Sequence, residues 1–105
     1  NNLVLIIDYN KIQSYDFIKN VCDLNPLSKK LKSFNFKTFE VNGHDIFELE
    51  NTFRKIETIK SKAQAIICHT VKGKGIKIAE NNPEWHHKSF LDSVDMKKIK
   101  ESIVK

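Results

Sequence analysis

The sequence predicts an α/β fold, a parallel sheet with crossover helices. Short apolar runs recur at 3-LVLII-7, 36-FKTFEV-41 and 64-QAIICHTV-71. Between them, apolar residues fall at helical spacing. The first run is apolar on both faces rather than alternating, as expected of a parallel strand covered on both sides. Strand, helix, strand, helix, strand is the order of a sheet built from crossover units.

In chain order, 3-LVLIIDYN-10 reads as a buried central strand. The stretch 11-KIQSYDFIKNVCD-23 reads as irregular, and a connection of that length is often functional. Leu24, Leu27, Leu31 and Phe34 predict a first helix, with Pro26 suited to its first turn. The run 36–41 is a second strand. The turn 42-NGHD-45 leads into a second helix with the apolar stripe Ile46, Leu49, Phe53 and Ile56. Asp45 and Glu48 have the spacing of a reciprocal cap, with Asp in place of the usual Ser or Thr. The run 64–71 is the third strand. Finally, 93-SVDMKKIKESIVK-105 predicts a last helix, capped by Ser93 and burying Met96, Ile99 and Ile103.

The chain has 105 residues, which limits it to one domain at most with a modest core. No apolar run is long enough to span a bilayer, and the first is too short, and lacks the preceding basic residue, for a signal peptide. Cys22 and Cys68 lack metal-type spacing and read as buried thiols in a reducing, cytoplasmic setting. The net charge of +5 is carried by lysine, and Arg54 is the only arginine. Readers of nucleic-acid sequence lean on arginine, and 29-KKLK-32 and 97-KKIK-100 fit solvated helix faces, so nucleic acid is not expected as a partner. The chain opens on Asn1-Asn2-Leu3 and enters an apolar strand almost at once, so it is expected to be part of something longer, with an open apolar edge.

Parallel sheets bind ligands at the carboxyl ends of their strands. Three segments are expected along that edge: 8-DYNKIQ-13, 42-NGHD-45 and 69-HTVKGKG-75. Asn10, just past a strand, offers either a turn-forming side chain or an oxygen ligand for a hard cation such as magnesium. Gly73 and Gly75 allow a tight turn and close approach to a ligand, with Lys72 and Lys74 able to face phosphate. The spacing is not that of a P-loop. His44 fits a turn role beside the Asp45 cap. His69 suits either the core or a site. In 80-ENNPEWHHKSF-90 the only Trp stands beside His86 and His87, of which at most one should face a pocket. The absence of close paired-histidine spacing argues against zinc.

Together, 7-IDYNKIQ-13, 24-LNPLSKKLKSFNF-36, 40-EVNGHD-45, 69-HTVKGKG-75 and 81-NNPEWHHK-88 resemble transketolase. More specifically, they resemble the small, separately encoded N-terminal transketolase chain. The resemblance runs over nearly the whole sequence and implies that residues 1–105 are the C-terminal portion of a diphosphate-binding domain, a partial thiamine diphosphate-binding fold. It implies thiamine diphosphate and a divalent metal, Mg2+ or Ca2+, as cofactors. Asn10 matches the Asn that ends the family's metal motif, and Ile12 the residue whose carbonyl completes the protein's ligands. Gly73 and Gly75 match the glycine turn on the cofactor side. The Gly-Asp-Gly half of the metal motif has no counterpart in this sequence. His86 matches the His of a Trp-His-Gly triplet that faces cofactor and substrate, implying proton transfer or stabilisation of substrate oxygens.

Two departures stand out. His87 replaces that triplet's Gly, and Tyr15-Asp16 occupies a place where the family often has glycine. The resemblance implies transfer of a two-carbon ketol unit between sugar phosphates, in a homo- or hetero-oligomer. A partner chain or domain would carry the pyrimidine-binding site, and the isolated chain would be inactive. Two rivals remain. One is 1-deoxyxylulose-5-phosphate synthase, which shares the Gly-His-Asp and glycine turns but is disfavoured by residues 81–88. The other is a non-catalytic interaction module that keeps the fold.

Overall fold

A computed structural model describes residues 2–103. The chain divides into two compact units, each assembled from separate stretches: residues 1–9 with 24–70, and residues 10–23 with 71–105.

The first unit holds the sheet. Its strands are β1 (Val4–Tyr9), β4 (Lys37–Asn42) and β5 (Gln64–His69), all parallel, in the order β1-β5-β4. The predicted parallel architecture is therefore present, with a different strand at its centre. β5 is flanked on both sides, and Ala65, Ile66 and Ile67 are essentially inaccessible. β1, expected as the central covered strand, is an edge among the described residues, and Ile6 is 56% exposed. An apolar run reports that a strand suits burial on both faces, not which neighbour supplies it.

Helices α2 (Leu27–Ser33) and α3 (Ile46–Glu57) belong to the same unit. Ile56 of α3 joins Val41, Ile66 and Cys68 in a buried cluster, with Phe39 and Leu49 packed against it. The predicted stripe is thus only partly right. Ile46 and Phe53 are exposed, and Thr52 is buried in their place. On α2 only Leu31 is buried, Phe34 lies past the helix end, and Pro26 occupies the N-cap rather than the first turn.

Asp45 caps α3 as expected, its carboxylate accepting from the Phe47 and Glu48 N–H groups at 2.9 and 3.1 Å. Glu48 does not complete a reciprocal box. Its carboxylate accepts from the Asn42 N–H at 2.7 Å, tying α3 to the end of β4.

In the second unit, the stretch expected to be irregular is ordered. Strands β2 (Ile12–Gln13) and β3 (Asp16–Phe17) form a hairpin followed by the single turn α1 (Ile18–Val21). Two short strands carry too little apolar pattern to be seen in sequence. Helix α4 (Ser93–Ile103) is present, and the rest of the predicted helix, Val104 and Lys105, lies outside the described residues. Asp92, not Ser93, caps it, accepting from the Asp95 N–H at 2.7 Å. None of its residues is buried.

Candidate functional site

The parallel register brings the three strand ends level. Tyr9 pairs with His69, and Asn42 pairs with His69 from the other side. Backbone bonds carry the alignment past the strands, from the Gly43 N–H to the His69 carbonyl at 2.8 Å and from the Thr70 N–H to the Tyr9 carbonyl at 3.5 Å. The Thr70 hydroxyl also donates to the Asp8 carboxylate, a link between strand ends that the sequence reading missed. Its signal was the pairing of an acid and a threonine at the ends of two neighbouring strands.

His69 and His44 belong to this first unit. The His69 Nε2 lies 2.9 Å from the Glu40 carboxylate, and its ring meets Tyr9 edge-on at 5.7 Å. The hydrogen bond with His69, opposed by burial, holds the Glu40 carboxyl below its ordinary range. His44 is exposed, and its N–H donates to the Asn42 side chain at 3.0 Å. His44 therefore sits in the turn that precedes the Asp45 cap.

Asn10, Ile12, Gly73, Gly75 and His86 all fall in the second unit. The Asn10 side-chain oxygen accepts from the Ile12 N–H at 3.0 Å. That turn fixes the amide oxygen while leaving it a second lone pair. Lys11, between them, takes a positive φ of 65°.

The glycine turn is held by its own backbone. The Ile76 N–H donates to the Gly73 carbonyl at 3.1 Å, and the Asn81 N–H to the Lys72 carbonyl at 2.9 Å. Gly73 has φ +76°, and a Cβ there would stand 2.5 Å from the Ala79 carbonyl oxygen. The Gly75 N–H donates to the Glu80 carboxylate at 3.0 Å, and Lys74 lies 3.9 Å from the same oxygen. A phosphate would compete with Glu80 for that N–H.

His86 follows a short 3₁₀ turn, Pro83–Trp85, that sequence explains well. Asn82 caps the turn through the Glu84 N–H at 3.1 Å, proline occupies its start, and the His86 N–H closes it on the Pro83 carbonyl at 3.0 Å. The His86 imidazole is held below its ordinary pKa of 6.5 by partial desolvation, then by the Lys72 ammonium and His87. That shift favours the neutral form of the imidazole. Downstream, Lys88 lies 4.8 Å over the Trp85 ring and pairs with Asp95 at 2.8 Å, which fastens this loop to α4.

Among the described residues, no group of three or more His, Cys, Asp or Glu is placed to hold a metal ion. No helix among them is long and apolar enough to cross a membrane.

No family model matches the chain. Individual relatives do. The chain is 39% identical over 88 residues to an apulose-4-phosphate transketolase subunit from Actinobacillus succinogenes, covering 84% of this chain and 32% of that protein. It is 34% identical over 87 residues to the protein of the same name from Phocaeicola vulgatus, covering 83% and 31%. Mouse transketolase-like protein 2 is 36% identical over 89 residues, covering 84% and 14%. The structure superposes on transketolase from Campylobacter jejuni with a TM-score of 0.80 at 24% identity, covering 97% of this chain and 16% of that one. The chain therefore spans about a third of the length of the curated subunits it matches. Matched over most of its own length to transketolase subunits in sequence and to transketolase in fold, this chain belongs to the transketolase family.

Proposed function

We propose that these residues form part of a transketolase that moves a two-carbon ketol unit from a ketose phosphate to an aldose phosphate, with thiamine diphosphate and a divalent metal. The observation that carries the reading is His86, placed at the end of the Asn82-capped turn within the segment shared with transketolase subunits. Asn10 and Ile12 fit a hard cation, since a fixed amide oxygen and a backbone carbonyl are both neutral oxygen donors. The remaining ligands would be the cofactor's diphosphate and a carboxylate outside the described residues. Bound there, thiamine diphosphate supplies the carbanion chemistry of ketol transfer.

His86 accepts and returns a proton at a sugar hydroxyl, which suits a base whose pKa lies below the working pH. Partial desolvation and then Lys72 favour its neutral form, and Lys72 adds positive charge attractive to a phosphate ester. Gly75, where a Cβ would meet nothing, would let the backbone approach the diphosphate, while Gly73 lets the turn pack against Ala79. The relatives are named as subunits of apulose-4-phosphate transketolase, which supports a sugar phosphate substrate and a second polypeptide that completes the site.

The test is ketol transfer by a complete transketolase assembly that contains this chain. His86→Ala should lower kcat/KM by about 10²- to 10⁴-fold. An unchanged rate would sink the assignment. The isolated 105-residue chain should show no transfer.

A further inference from the structure

We propose that Tyr15 and His87 act as one unit, a ring stack that sets the orientation of the His86 imidazole. The role of His86 itself rests on the functional reading above. Tyr15 and His87 are far apart in sequence, yet their rings stand 4.9 Å apart at 38°. His87 in turn meets His86 edge to face, at 4.3 Å and 90°. Aromatic rings in such arrangements attract. Here they form a relay of three rings ending at the residue read as the base.

Both ends of the relay are fixed. Tyr15 sits at the tip of the β2–β3 hairpin, where Ser14 takes φ 53° to make the turn. The Asp16 carboxylate accepts from the Phe17 N–H at 2.6 Å and from the Asn20 amide at 3.1 Å, tying the hairpin to α1. The Ile18 N–H closes the base on the Lys11 carbonyl at 2.9 Å. On the far side, Lys88 holds the histidine loop through Trp85 and Asp95. Tyr15 is nonetheless 76% exposed, so nothing in the core requires an aromatic ring there.

Either ring alone would hang from a loop unsupported. Together they form a packed pair that restricts the rotamers open to His86. Both are positioning residues, since neither needs to touch a reacting atom to do this.

Two measurements decide it. The first is NMR of the imidazole signals in the 105-residue chain. Tyr15→Ala should move the His87 signals and, through them, those of His86, whereas Tyr15→Phe should leave both near their wild-type positions. His86 signals unmoved by Tyr15→Ala would overturn the proposal. The second is activity of the assembled transketolase. Tyr15→Ala should lower kcat by about tenfold with little change in KM, as a misplaced base does. Tyr15→Phe should restore it, and adding His87→Gly to Tyr15→Ala should cost little more. A pure KM effect, or single effects that multiply, would overturn it. Should the wild-type assembly transfer no ketol group, the functional reading falls, and the NMR signals alone judge the positioning.

Discussion

A methyl group is enough to probe the strand ends. A Cβ on Gly43 would stand 2.5 Å from the Thr70 Cγ2 and 3.0 Å from the Cys68 Cβ. Gly43→Ala should therefore destabilise by about 1–3 kcal/mol in denaturant unfolding, through overpacking. His86 offers a test by titration. Its pKa is depressed, so its NMR midpoint should fall below 6.5, and the imidazole should be neutral at pH 7. Lys72→Gln removes a positive charge that opposes protonation, so the midpoint should rise. A midpoint that stays put would remove Lys72 as a cause. The two thiols should separate cleanly. Cys22 is exposed, against the expectation that both thiols are buried, while Cys68 is buried, with its pKa raised by desolvation and then by Asp8. Iodoacetamide at about pH 8 should label Cys22 and spare Cys68 in the folded chain, as followed by mass spectrometry.

At the scale of the element, what the sequence conveyed depended on how local the cause was. The Asp45 cap of α3 is set by neighbours within three residues and was legible, whereas the equally local Asn82-Pro83 start of the 3₁₀ turn went unread. Asp45→Ala should accordingly cost about 1 kcal/mol in thermal or chemical unfolding, since two N–H groups lose their acceptor. The partner of Glu48 was not legible, because Asn42 competes for it across the turn. The β2–β3 hairpin escaped notice for a related reason. Its strands are two residues each, too short for periodicity, and its turn is made by Ser14 and Tyr15 rather than by glycine. The candidate site divides the same way. Asn10, His86 and the glycine turn stand out by residue type and position. The ring stack joining Tyr15 to His87 is a long-range contact that no local pattern announces.

At the scale of the whole molecule, the parallel sheet was legible and its strand order was not. Apolar runs identify strands, but order is decided by which strand recruits a neighbour on each side. Leu3, Val4, Leu5 and Ile6 remain exposed at the β1 edge. Such an edge invites pairing with another chain. The isolated chain should scatter light increasingly with concentration, and Ile6→Lys should suppress this, as charge does on natural edge strands. Equal scattering by both proteins would place the sticky surface elsewhere.

The order β1-β5-β4 also governs how the chain can be made. The two flanking strands do not touch each other, and the strand that unites them is the last of the three to leave the ribosome. Val4 must wait for Gln64, and so must Lys37. Among the described strands, β1 and β4 therefore lack a partner during synthesis until residues 64–69 have emerged. A nascent chain stalled before that point is the form most in need of a chaperone, and a premature stop there would remove the whole sheet rather than one strand of it.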